Sequence, residues 1–257
     1  MNNLQKPQLM YILPNLFTAA SAFLGIVSII SAIQGYCFDI QDEHLKAQGY
    51  YSRAIIYIVL SLILDGLDGR VARLTKTTSK FGIEFDSLAD IIAFGVAPTI
   101  LFYLVIGNQF GRFGALISAM FAVFGAIRLA RFNVTTGTYE PNVFIGLPIP
   151  TAAIVSVLWV GVYLDYDIFR GFEWFYILLH AVLAVLMVSN IRYPSFKKID
   201  LKQSHVMRIL IILVVAFSML YLYPFESATI VISIYVLYGI IRALMMFSKN
   251  LKKKESE

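Results

Sequence analysis

Asp65, Asp68, Asp86 and Asp90 are the residues of this 257-residue chain whose type and spacing could do chemistry. Asp65 and Asp68 are i, i+3, and Asp86 and Asp90 are i, i+4, so on helices each pair shares one side. If the two sides meet, four anionic groups converge and need a counter-charge to stay ionised together. Hard divalent cations supply it. Mg²⁺ takes carboxylate oxygens alongside substrate phosphates and retained water, and two such ions can clamp the attacking and leaving oxygens of a displacement at phosphorus.

The surroundings sharpen the question. The chain is 59% hydrophobic and 14% charged, with a mean hydropathy of +0.75, whereas a soluble domain carries about 25% charged residues. An ionised carboxylate near a bilayer centre costs about 2.5–3.5 kcal/mol even on the lenient insertion scale. Cys37, the single cysteine, excludes an internal disulfide, and His44, His180 and His205 form no ligand spacing.

Eight apolar stretches can position the acids: 11–33, 52–73, 82–106, 112–131, 145–164, 173–189, 207–222 and 225–247. A span needs about 20 apolar residues, so the sixth and seventh are the shortest candidates. The first stays apolar too long for a signal peptide and has only Lys6 before it. The expected fold class is all-α: a polytopic membrane bundle of about eight helices. With no repeat or long linker, residues 1–257 read as one membrane domain, with catalytic helices over 11–189 and additional C-terminal helices over 207–247.

Basic residues orient it. With a cytoplasmic N-terminus, 17 of the 21 Lys and Arg residues fall inside. Outside remain only Lys46, Arg53, Arg112 and Arg170, together with acids such as Asp39, Asp42, Glu43 and Asp165. Both termini are therefore expected in the cytoplasm, and the net charge of +5 is explained without a nucleic-acid partner. The "KNLKKKESE" tail reads as a solvated end able to meet anionic membrane lipids.

The second and third spans must run antiparallel, joined on the basic side by "LTKTTSK". Counting about 1.5 Å per residue, Asp65 lies roughly 12 Å and Asp68 about 7–8 Å below Arg73. Asp86 lies roughly 9 Å and Asp90 about 15 Å below Lys80. The carboxylates share a layer just under the headgroups. Gly69 and Ala72 leave the helix bare beside them, and Gly82 allows the third helix to pack closely. Gly66 reads equally well as an ordinary helix-packing glycine.

Written out, D65-G-L-D68-G69-R-V-A72-R73, eight residues, then G82-I-E-F-D86-S-L-A-D90 resembles the signature of the CDP-alcohol phosphatidyltransferases. Eight specified positions match with the right gap. The resemblance implies an integral-membrane enzyme that moves a phosphatidyl-type group from a CDP-linked donor to an alcohol and releases CMP. It implies a site for two divalent cations, Mg²⁺ or Mn²⁺, held by Asp65, Asp68, Asp86 and Asp90, with Asp90 also the general base. It implies further that Gly69, Ala72 and Arg73, with Asn15 and Thr18 of "PNLFT", bind the nucleotide.

For the acceptor, "FDSLADIIAFGVAP", "IRLARFN", "GLPIPTAA" and "SNIRYPSFK" are similar to the membrane phosphatidylserine synthase branch of that family. Branches that accept glycerol 3-phosphate usually carry Lys after the final aspartate; here Ile91 follows. CDP-diacylglycerol and L-serine are the substrates this implies, with Arg128, Arg131 and Asn133 as acceptor-binding candidates, Arg pairing with the serine carboxylate. Direct displacement is expected, since no Ser, Cys or His stands out as a nucleophile within the motif. A homodimer on the cell (cytoplasmic) membrane, active site facing the cytoplasm, is implied too. Glycerol 3-phosphate or an inositol phosphate as acceptor, an intramembrane prenyltransferase and a cation transporter stand as alternatives.

Overall fold

The computed structural model describes residues 9–75, 77, 79–135, 143–194, 214, 217–219 and 221–254. Among the described residues the fold is carried by helices α1 (Leu9–Asp39), α2 (His44–Thr75), α3 (Lys80–Asp90), α4 (Ala97–Val105), α5 (Gly111–Thr135), α6 (Ile149–Asp165), α7 (Glu173–Val188) and α8 (Pro224–Lys254). Among the described residues, four helical stretches are long and apolar enough to cross a membrane: Ile12–Asp39, Lys80–Val105, Gly107–Thr135 and Pro224–Ala243. Ile149–Asp165 and Glu173–Val188 are apolar but shorter. The seventh stretch expected from sequence, 207–222, falls largely outside the described residues.

Helices α1 and α2 form the central antiparallel pair. Small hydroxyls on α1 bind α2 at successive levels: Ser21 Oγ lies 2.6 Å from Ser61 Oγ, Ser28 donates to the Ala54 carbonyl at 2.9 Å, and Ser31 to the Tyr50 carbonyl at 2.8 Å. Each pairing satisfies polar atoms that would be costly unpaired in an apolar interior. Gly25 brings α1 against the backbone of Ala93, where a Cβ would stand 2.8 Å from the Ala93 Cα.

Between α3 and α4 the chain runs through a π-helical turn, Ile91–Val96, which begins one residue after Asp90. Pro98 is the physical reason. It lacks an amide hydrogen, and in a regular helix its ring would press on the carbonyl four residues back. The wider turn lets the Ala97 amide reach the Ile92 carbonyl instead.

The stretch 145–164, expected as one span, starts as helix only at Ile149. Before it, Val143–Ile145 (β1) pairs antiparallel with Arg192–Pro194 (β2), Phe144 opposite Tyr193. Gly146, at φ +76°, and then Pro148 turn the chain from this ribbon into α6. The core lies between α2, α4, α5, α6 and α7, filled by Ile55, Ile58, Phe102, Phe121, Leu183 and their neighbours. His180 sits within it, stacked 3.9 Å from Phe102 and 4.3 Å from Phe121 (ring centroids), with Nδ1 2.9 Å from Ser156 Oγ.

Candidate active site

The acids sit where the end of α2 meets the start of α3. The turn between them is built by hydroxyls. Thr75 and Thr77 share a 2.6 Å hydrogen bond. Ser79 caps α3 by accepting from the Gly82 amide at 3.0 Å, which satisfies a donor the helix start leaves free. At Gly82 a Cβ would stand 3.2 Å from Asn15 Oδ1 of α1.

Oxygens of Asp65, Asp68 and Asp86 come within 4.8 Å of one another. Asp65 interacts with both Asp86 and Asp90, so Asp90 joins the group from one helical turn deeper. Asp90 is 9% exposed, and its Oδ1 has no protein partner. Hard oxygen donors in one small volume, one of them buried and unpaired, suit a divalent cation.

A cleft opens beside this cluster. One wall is the bare surface of α2 at Gly69 and Ala72, with Arg73 above; Asn15 and Thr18 of α1 form another. The Arg73 guanidinium lies across Gly69, its nitrogens 3.6 and 3.9 Å from where a Cβ would stand. Thr18 Oγ1 lies 2.6 Å from Asp68 Oδ2 and 3.2 Å from the Pro14 carbonyl, which orients one carboxylate of the cluster. Pro14, Thr77, Ser79 and Ile83 complete the walls. Sequence reading had not singled these out, although a serine just ahead of an amphipathic run is a helix-start signal. Gly66 faces open space within the chain.

The acceptor candidates separate. Arg128 is buried, 6% exposed, interacts electrostatically with Asp90 and leaves its Nε without a partner. Its guanidinium lies 5.2 Å from the Phe132 ring centroid. Asn133 Nδ2 donates to Ser87 Oγ at 2.9 Å, between the two aspartates of α3. Arg131 points away: its guanidinium contacts the carbonyls of Ile145, Met187, Val188 and Ser189 and the side chain of Asn190 at 3.0–3.4 Å.

A bundle of apolar helices with an acid-floored cleft at one end defines the class: a membrane-type protein whose clustered carboxylates could hold a metal ion. Residues 11–188 match the family model of the CDP-alcohol phosphatidyltransferases, and the chain belongs to that family. It is 48% identical over 246 residues to a CDP-diacylglycerol–serine O-phosphatidyltransferase of Helicobacter pylori, covering 95% of this chain and 96% of that one. An enzyme of the same name from Methanocaldococcus jannaschii is 43% identical over 144 residues, 54% of this chain and 62% of its own. An archaetidylserine synthase of Methanothermobacter thermautotrophicus is 35% identical over 181 residues, 69% of this chain and 71% of its own. Family membership removes the prenyltransferase and cation-transport alternatives.

Proposed function

We propose that the chain transfers the phosphatidyl group of CDP-diacylglycerol to L-serine, giving phosphatidylserine and CMP. The observation that carries the reading is the meeting of Asp65, Asp68 and Asp86 within 4.8 Å at the edge of a cleft walled by Gly69 and Ala72. The near full-length likeness to a serine transferase supports the acceptor.

Asp65, Asp68, Asp86 and Asp90 would hold two divalent cations, Mg²⁺ or Mn²⁺; when bound, these neutralise the diphosphate and the charge developing on the leaving CMP. The chain's own residues do the rest. Gly69 and Ala72 let the cytidine rest against bare helix, with Arg73, Asn15 and Thr18 around it. Arg73 meets the nucleotide's negative charge. Asp90 takes the serine hydroxyl proton while the serine oxygen attacks the phosphorus that bears diacylglycerol. The bond from that phosphorus to the bridging oxygen breaks, and CMP departs with that oxygen. Arg128, buried beside Asp90 with a free Nε, is placed for the serine carboxylate. Asn133 orders the same side through Ser87.

In this reading the chain is one membrane domain of about eight spans in the cytoplasmic membrane, working as a homodimer. Both termini and the cleft face the cytoplasm, where CDP-linked lipid and serine meet. The test supplies CDP-diacylglycerol and Mg²⁺ or Mn²⁺ with serine, glycerol 3-phosphate or an inositol phosphate. CMP release is expected with serine alone and should cease in EDTA. Release only with a phosphorylated alcohol would overturn the acceptor; full turnover in EDTA would overturn the metal site.

A further inference from the structure

Arg131 makes an unusual set of contacts. Its Nη1 lies 3.0 Å from the Val188 carbonyl and 3.4 Å from Asn190 Oδ1, and its Nη2 lies 3.1–3.3 Å from the carbonyls of Ser189, Ile145 and Met187. Met187 and Val188 end α7, where helix carbonyls lack partners within their own helix. A cation there also meets the negative end of the helix dipole. Arg131, from α5, thus caps α7 and grips β1 at once. Gly146 makes the grip possible: a Cβ at that position would stand 2.6 Å from Arg131 Nη2 and 2.3 Å from the Met187 carbonyl.

The far side of the ribbon is held by the last helix. Phe144 of β1 is opposite Tyr193 of β2. Tyr193 is fully buried, and its ring lies against Gly239 of α8 so closely that a Cβ there would stand 2.0 Å from Cε1. Trp159 of α6 adds a 3.1 Å hydrogen bond to Ser233 of the same helix. A continuous path therefore runs from α8 through Tyr193 and the ribbon to Arg131. From there, α5 carries Arg128 one turn before it and Asn133 two residues after it.

We infer that Arg131 is a positioning residue for the acceptor: braced by the ribbon and by α8, it sets the end of α5 so that Arg128 and Asn133 face Asp90 and Ser87. This assigns the C-terminal helix a part in acceptor binding, although it lines none of the cleft. The inference rests on the serine reading above. Displacements of about 1 Å far from the chemistry can cost on the order of a hundredfold, so a measurable acceptor defect is expected from a residue that never touches serine.

The experiment measures KM for serine and for CDP-diacylglycerol in membranes carrying Arg131→Met, Arg131→Lys and Gly239→Ala. Arg131→Met should raise the serine KM at least about tenfold and leave the donor KM within about twofold. Arg131→Lys should fall between wild type and Met. Gly239→Ala, which meets no substrate, should shift the serine KM in the same direction. A defect at Arg131 with none at Gly239 would make Arg131 a direct ligand and overturn the inference, as would equal losses for donor and acceptor. If Arg131→Met fails to accumulate in the membrane, the Lys and Gly239 variants decide by the same criterion. Failure of the serine reading shows separately, as absence of serine-dependent CMP release by the unaltered chain.

Discussion

At the scale of single residues, Asp86 and Thr18 separate two kinds of contribution. Asp86 is a member of the converging trio, and Asp86→Asn should abolish CMP release at any Mg²⁺ or Mn²⁺ concentration. Thr18 lines the cleft and reaches the acidic cluster through Asp68, at 2.6 Å. Residues that orient a metal's carboxylate ligand typically change metal affinity by about 10–100-fold. Thr18→Val should therefore raise the metal concentration for half-maximal activity by that factor and largely recover in excess metal. A metal titration of both variants checks the contrast; recovery of Asp86→Asn in excess metal would contradict it. The trio itself was legible in the sequence, because a rise of 1.5 Å per residue and two spacings suffice to compute depth and face. Arg131 was not legible. Its partners are mostly backbone carbonyls up to 58 residues further along, and a carbonyl leaves no mark on residue type. Its positive charge near a helix end reads the same whether it caps, binds or anchors.

At the scale of elements, the helices were legible wherever apolar length set them, and the departures occur where one residue redirects the backbone. The turn at Ile91–Val96 is the clearest case. No residue type favours a π turn by itself, so the run 82–106 reads as one helix. Pro98 shows why it is not uniform, and π turns recur at functional sites. Here the turn changes the angular relation between α4 in the core and the face of α3 that bears Asp86 and Asp90. Pro98→Ala restores an amide that a regular helix can use. The variant should keep or raise its thermal midpoint, since an interior proline costs a helix about 3 kcal/mol, while kcat falls several-fold as Asp90 rotates away from Asp65. Thermal melting and initial rates on the same preparation check the opposition. Unchanged kcat would mean that the turn does not set the aspartates. The ribbon at 143–145 escaped sequence reading for a similar reason: three residues are too few to show alternation, and Gly146 is informative only through its φ of +76°.

At the scale of the whole molecule, the two ends of the bundle differ in chemistry. The cleft lies where α2 ends and α3 begins, at Arg73, Thr77 and Ser79. At the opposite end, α1 passes through an acidic turn into α2, with Asp39 bonded to His44 at 2.7 Å and Glu43 paired with Lys46. α1 has 31 residues, about 46 Å at helical rise, which exceeds a hydrocarbon core of about 30 Å. Its two ends therefore stand on opposite sides of any bilayer it crosses. In the proposed eight-span arrangement, with 17 of the 21 basic residues on the cleft side, the positive-inside rule would put the cleft in the cytoplasm and the acidic turn outside. Cys37 is the single cysteine, so replacing it by Ala leaves a clean background for accessibility. In that background, Gln41→Cys in the acidic turn should react with a membrane-impermeant thiol reagent added to intact cells. Lys253→Cys, in the basic tail, should react only after the membrane is opened. Serine-dependent activity measured on the same variants establishes that the labelled protein is the folded one. Labelling of Lys253→Cys in intact cells would place the tail outside, and the charge argument for a cytoplasmic cleft would fall with it.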